Sequence, residues 1–276
     1  MQKSFSALEY ANKKKQTRRE RFLKELDRVV PWEELEAEIA PYYPKGAGPG
    51  RPPLGLRRML RVHVVQNCFG LSDPETEDAI YDSQAIRGFV GVDLSHESAP
   101  DETSILNFRH LLEEHKLTRA IFEKIKEYLS AHGLLLREGT IVDATLISAP
   151  SSTKNKDKAR DPEMHQSKKG NQWYFGMKAH VGVDMESGLV HTVVATAGNV
   201  SDVTQTHALM HGDEKHVMGD AGYIGVEKRE ENIDKTEVEW HIAAKRSKVE
   251  KISNETVRGA LEKLEKAKAS IRSKEV

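Results

Sequence analysis

The stretch Gly139-Thr-Ile-Val-Asp-Ala-Thr-Leu-Ile-Ser148 constrains this chain more than any other. Its apolar and β-branched residues have the makeup of a short buried strand, yet Asp143 stands in the middle of it. A carboxylate in a buried strand is costly unless something pairs with it. The pattern returns 77 residues later in His216-Val-Met-Gly-Asp-Ala-Gly-Tyr-Ile-Gly225, where a short apolar run ends in Asp220 and a glycine-rich turn follows. Neither acid has an obvious basic neighbour in sequence. A shared partner of high positive charge is implied, and a divalent cation held by oxygen ligands is the simplest one. The competing reading makes one aspartate a turn cap and satisfies the other with backbone donors.

Ahead of this strand the periodicity is helical. Residues 7–30 offer Leu8, Ala11, Phe22, Leu23, Leu26 and Val30 to one face, and Pro31 with Glu33 and Glu34 opens a second helix. Residues 41–53 carry five prolines and three glycines and break all periodicity, as a loop or linker does. Leu56, Met59, Leu60, Val64 and Phe69 form the next stripe, which Gly70 ends. Ser72-Asp-Pro starts another helix and Ser98-Ala-Pro-Asp-Glu102 a third, in which Ile105, Phe108, Leu111 and Leu112 face inward. That leaves Ser104, Asn107, Arg109 and His110 for solvent or a partner. Short helices with such an exposed set fit a helix-turn-helix-like DNA reader, and they equally fit an ordinary helical bundle. A last helix, 117–131, closes at Gly133.

Charge permits the first reading without deciding it. The net charge is −1, but residues 1–60 hold thirteen Lys and Arg against eight Asp and Glu. The run Lys13, Lys14, Lys15, Arg18, Arg19 is the candidate for phosphate contacts, with a plain solvated face as its alternative. The absence of a long apolar run argues against a membrane span, and the polar N-terminus argues for the cytoplasm. A lone Cys68 excludes a disulfide framework and a cysteine-based zinc cluster.

After residue 135 the period becomes strand-like, so the domain boundary is expected near 136. Residues 149–160 are polar and read as mobile, and 165–173 continue them with more basic residues. Residues 173–184 and 188–196 read as a hairpin joined at Met185-Glu-Ser-Gly188. A helix at 202–210, a strand at 217–220, a short helix at 227–232, a strand at 238–244 and a long charged helix from 255 complete the plan. An acid-bearing strand, a hairpin, a helix and a second acid-bearing strand is the order of the ribonuclease H-like fold. At this level the likeness is one of fold alone.

The residues also resemble a known family. Arg51-Pro-Pro-Leu54, Leu60-Arg-Val-His63, Leu71-Ser-Asp73 and the run 101–113 carry the likeness in the helical half. Val142-Asp-Ala-Thr145, Ala149-Pro-Ser-Ser-Thr-Lys-Asn-Lys156, the runs 160–166 and 168–173, Gly176-Met-Lys-Ala-His180 and Asp220-Ala-Gly-Tyr223 carry it in the second. Over about residues 15–272 the chain is similar to bacterial insertion-sequence transposases of the IS-five group, a DDE type.

The resemblance implies an α+β chain. An all-helical, helix-turn-helix-like DNA-binding domain at 1–135 precedes a ribonuclease H-like catalytic domain at 136–276. It implies binding to the terminal inverted repeats, cleavage and transfer of DNA strands into target DNA, homo-oligomers on DNA, and a nucleoid-associated cytoplasmic location. Asp143 and Asp220 match the first two acids of the metal-binding triad, with two Mg²⁺ or Mn²⁺ ions as cofactors. Lys168, Lys169 and Lys178 are the cations expected to neutralise phosphates near the cut, with plain solvated lysines as the alternative. The family's third acid, a glutamate four residues after Arg272, falls here on Val276, with Glu275 one place early. Glu275 is therefore the candidate third acid, and the expectation is a catalytic domain truncated at its C-terminal end and inactive as written. A non-catalytic, inhibitory DNA binder and a metal-dependent nuclease on the same fold are the alternatives.

Overall fold

A computed structural model describes residues 10, 12–46, 52–154 and 158–245, with isolated positions at 250, 251, 258, 262 and 266. The chain divides into two compact units, Met1–Tyr128 and Leu129–Val276. The division falls inside the helix Leu117–Ala131, ahead of the residue at which the sequence pattern changes.

The first unit is helical, and its element ends are fixed by local chemistry. Helix α1 (Arg18–Val29) is capped by Thr17, whose hydroxyl accepts from the Glu20 amide. Helix α2 (Trp32–Ile39) follows directly after Pro31. Helix α3 (Leu56–Phe69) stops at Gly70, whose φ of 62° is left-handed. Ser72 and Glu75 form a reciprocal capping box at the start of α4 (Asp73–Asp82). Helix α5 (Gln84–Val90) is capped by Ser83 and ended by Gly91; at two turns it is too short to leave a periodic signal in the sequence. Helix α6 (Glu102–Glu114) is capped by Asp101, and α7 spans Leu117–Ala131.

These helices bury one cluster that includes Leu23, Leu35, Ile39, Leu60, Val62, Val65, Ile80, Phe108 and Leu112. Each fully buried aliphatic side chain contributes about 1.5–3 kcal/mol relative to exposure. In α3 the core face is Met59, Leu60, Val62 and Val65; Leu56, Val64 and Phe69, expected on that stripe, pack only at its margin.

The second unit is built on a six-stranded mixed sheet. Strand β1 (Gly139–Ser148) pairs antiparallel with β3 (Gln172–Asp184) and parallel with β5 (His216–Gly219). Strand β6 (Glu239–Ile242) lies parallel on the far side of β5. The other edge of β3 carries β4 (Val190–Ala197) along residues 177–183 and β2 (His165–Lys169) along 172–176. This is the α+β, ribonuclease H-like plan expected from the order of elements.

Strand β2 is a departure from the sequence reading, which ran 165–173 on as polar chain. It pairs in register with β3 around Gly170, at φ 62°. Both faces of this hairpin are wet, so its residues lack the apolar alternation that marks a strand. The expected helix at 202–210 is a 3₁₀ turn, Asp202–Gln205, running into a single α turn, Thr206–Leu209. The expected helix at 227–232 is two 3₁₀ turns, Val226–Lys228 and Glu230–Asn232. Of the long C-terminal helix, positions 258, 262 and 266 are described and are helical; Glu275 and Val276 lie outside the described residues. Among the described residues no helix is long and apolar enough to cross a membrane.

Candidate active site

The parallel pairing of β1 with β5 steps through Gly139↔His216, Thr140↔Val217, Ile141↔Met218 and Val142↔Gly219. The next step of that register is Asp143 beside Asp220. The 77-residue spacing is thus the offset of two neighbouring parallel strands, and the acids stand together at their carboxyl ends. In open sheets with parallel strands, that end is where ligands bind. Burial fades at this point: Gly139–Val142 are buried, Asp143 is half-buried and Asp220 exposed.

Each acid is anchored by one oxygen. Asp143 Oδ1 accepts from the Ala144 amide at 2.8 Å, and Asp220 Oδ1 from the Gly222 amide at 2.7 Å. The backbone donors of the competing reading are therefore real, but they occupy a single oxygen of each carboxylate among the described residues. Asp220 also caps the 3₁₀ turn Ala221–Tyr223. That turn needs its glycines. A Cβ on Gly222 would lie 2.9 Å from Asp220 Oδ1, and one on Gly219 3.1 Å from the Tyr223 side chain.

Two further groups enter that the sequence reading did not select. Asp202, at the start of the 3₁₀ turn after β4, faces the same turn: its Oδ2 lies 3.7 Å from where a Gly222 Cβ would be. Tyr223 is 1% exposed, and its phenol is pushed far above its usual range by burial first and then by Asp202, Asp143 and Asp220. The three carboxylates therefore share one small region around that ring. Asp202 could have been sought as a third acid near the pair, but only the fold brings residue 202 beside 220.

Lys178 sits at the same place, and it is not a free surface cation. Its Nζ donates to Asp202 Oδ1 and to the Val200 carbonyl, both at 2.8 Å, with the side chain 15% exposed. His180, fully buried one turn of the pleat further along β3, bonds Thr196 Oγ1 through Nε2 at 2.8 Å. Burial pushes its pKa down, against the pull of Asp202, so the ring is neutral near pH 7. His180 Nδ1 and Tyr223 Oη are buried and bond to no other described residue. Oxygen-only donors with one oxygen each to spare, next to buried polar atoms in want of partners, suit a hard divalent cation and its water.

The other expected contacts are dispersed. Lys168 and Lys169 are exposed on β2. In the helical unit Lys14, Lys15, Arg18 and Arg19 are exposed, while Lys13 pairs with Glu20 and lies 3.1 Å over the Tyr10 ring. Arg109 faces away from solvent more than its place on α6 suggested. It forks onto Asp73, Nε to Oδ1 at 3.0 Å and Nη2 to Oδ2 at 2.7 Å, and Asp73 also accepts from Gln66.

The family model described as Transposase DDE domain matches residues 135–275, half of the chain. The chain belongs to this family. The model described as Transposase domain (DUF772) matches residues 11–111. The two together identify an insertion-sequence DDE transposase. Transposases of this family act on DNA and use divalent metal ions. No solved structure matches the chain.

Proposed function

We propose that this transposase, of the IS-five group, binds the terminal inverted repeats of its element through the helical unit. It then cleaves and joins DNA strands at the Asp143–Asp220 pair, working as a homo-oligomer on the DNA at the bacterial nucleoid. The observation that carries the reading is the β1–β5 register, whose next step sets the two acids side by side. Two Mg²⁺ or Mn²⁺ ions bound there would supply charge for the attacking and leaving oxygens of a phosphodiester. The chain's own part is to hold ligands rigidly. Asp143 is fixed at the end of the sheet core, and Asp220 is fixed by the turn it caps. Lys178 holds Asp202 and keeps a third negative charge near the pair from going uncompensated. The neutral His180 is buried beside Asp202, its Nδ1 3.9 Å from Oδ1. Glu275 is proposed as the third acid, and its own substitution tests it. Lys168 and Lys169 supply charge to the flanking DNA.

For DNA binding, the exposed cations Lys14, Lys15, Arg18 and Arg19 are the proposed phosphate contacts, with Lys13 as a helper already paired to Glu20. Each phosphate contact contributes about 0.9 to the logarithmic salt slope. Alanine at these four positions should flatten the slope and weaken binding regardless of DNA sequence. Arg109 is proposed as a structural residue, given its fork onto Asp73.

The test is a plasmid carrying both element ends, incubated with the chain and Mg²⁺ or Mn²⁺ and scored for cut ends and joined products. Cutting and joining that vanish in Asp143→Asn and Asp220→Asn, with end binding retained, support the reading. Cutting without joining makes the chain a nuclease. Binding with no chemistry makes it a DNA-binding protein only. Chemistry that survives Asp143→Asn rules out the acid pair.

A further inference from the structure

A second cluster of ligand atoms lies at the opposite end of β5 from Asp220. His216 is the first residue of β5 and Glu239 the first of β6, and the two are register partners. His241 follows Glu239 by two and so projects from the same face. His216 precedes Asp220 by four residues, about 13 Å along a strand, so this cluster is distinct from the acid pair.

The geometry of the three atoms is specific. His216 Nδ1 lies 3.3 Å from Glu239 Oε2 and 3.4 Å from His241 Nε2, and His241 Nε2 lies 3.7 Å from Glu239 Oε2. A tetrahedral zinc ion with bonds of about 2.0–2.1 Å separates its ligands by about 3.3–3.4 Å. The circle through the three atoms has a radius of about 2.0 Å, so an ion near its centre is at bonding distance from all three.

A simple ion-pair cluster has no need of this shape. One carboxylate oxygen and two imidazoles hydrogen-bonding in a chain would have no reason to close into a near-equilateral triangle. The side chains are 37%, 69% and 34% exposed for His216, Glu239 and His241, so an ion can reach them from solvent.

We infer that His216, Glu239 and His241 form a transition-metal site, for Zn²⁺ by class, which clamps the edge strand β6 to β5. Two imidazoles select a borderline cation over Mg²⁺, which prefers oxygen and octahedral geometry. The site therefore differs in metal preference as well as place from the acid pair. Strand β6 is four residues long, at the edge of the sheet, and gains the most from such a clamp.

The test uses untagged full-length protein with Co²⁺ as a spectroscopic stand-in for zinc. The expected result is the intense visible absorption of tetrahedral cobalt, displaced by Zn²⁺ and untouched by Mg²⁺. It persists in Asp143→Asn and disappears in His241→Ala. Because Glu239 is mostly exposed, Glu239→Gln leaves the fold intact; it should lower Zn²⁺ affinity beyond the about 10–100-fold that loss of an outer-shell partner costs. It should also remove the Zn²⁺-induced rise in melting temperature. A weak octahedral cobalt spectrum, or a tetrahedral one unchanged in both His241→Ala and Glu239→Gln, overturns the inference.

Discussion

Removing the Asp184 carboxylate should loosen the sheet that carries Asp143. Asp184 ends β3, is 2% exposed, and accepts five hydrogen bonds. Its Oδ2 takes the amides of Leu136 and Arg137, on the approach to β1, at 3.1 and 2.8 Å. Its Oδ1 takes the Glu186 and Ser187 amides and the Ser187 hydroxyl at 3.2, 2.8 and 2.7 Å. One side chain thus ties the start of β1 to the β3–β4 turn. Hydrogen bonds to a charged group are worth about 1.5–3 kcal/mol each. The donors belong to exposed residues that water can reach after substitution, so the full sum is not lost. We expect Asp184→Ala to cost about 3–5 kcal/mol, the part of that sum that water does not return to the donors.

Hydrogen exchange of the β1 and β3 amides is the assay, because it reports on this unit alone. It also carries a pH signature. Burial alone would push the Asp184 pKa up, but the hydrogen bonds from Ser187, Arg137 and Glu186 outweigh it and hold it below the usual range. A depressed folded pKa means stability present above the unfolded value of about 3.9 and lost as pH falls through the folded one. The gap between wild type and Asp184→Ala should thus be full at neutral pH and close only below about pH 4. A gap under about 1 kcal/mol at pH 7, or one unchanged well below pH 4, would refute the reasoning.

Two further substitutions probe each unit. In Gly182→Ala a Cβ would lie 2.5 Å from the Leu209 carbonyl oxygen and 2.9 Å from the His191 ring; a backbone atom cannot swing aside, so a loss of about 3 kcal/mol is expected. Denaturant unfolding checks it, and a change within about 0.5 kcal/mol would sink the steric argument. Arg109→Ala should destabilise the helical unit by about 1.5 kcal/mol, at the low end for charge-assisted bonds because the pair is half-exposed, and leave the salt slope of DNA binding unchanged. A lower slope with intact stability would return Arg109 to the DNA contacts.

What could be read in advance was whatever local chemistry decides. Ser72, Gly70 and the Met185–Gly188 turn mark their element ends by capping and turn preferences that act over three or four residues, whereas in the stretch read as helix at 7–30, α1 begins only at Arg18, after the Thr17 cap. Asp143 and Asp220 stood out because an acid in a β-branched run is locally anomalous. The strand β2 did not, because a strand wet on both faces has no apolar alternation. Nor did Arg109, whose exposed place on α6 could not reveal Asp73, 36 residues away. Lys178, Asp202 and Tyr223 come together only through the β3–β4 pairing and the turn after β5. The same holds for His216, Glu239 and His241, which are unremarkable until β6 settles beside β5.

The parallel pairing of β1 with β5 also sets an order in time. No hairpin can join parallel neighbours, so residue 143 waits until the chain through 220 has been synthesised before its partner exists. The helices of the first unit close through short-range contacts and fold fast, while the sheet must first close a long loop. As the chain leaves the ribosome, the helical unit is finished while the sheet unit is still assembling. A nascent chain therefore carries a folded helical unit before Asp143 and Asp220 can meet. Pulse-labelled exchange on ribosome-bound chains that end before residue 216 would find α3 protected and the β1 amides that face β5 open.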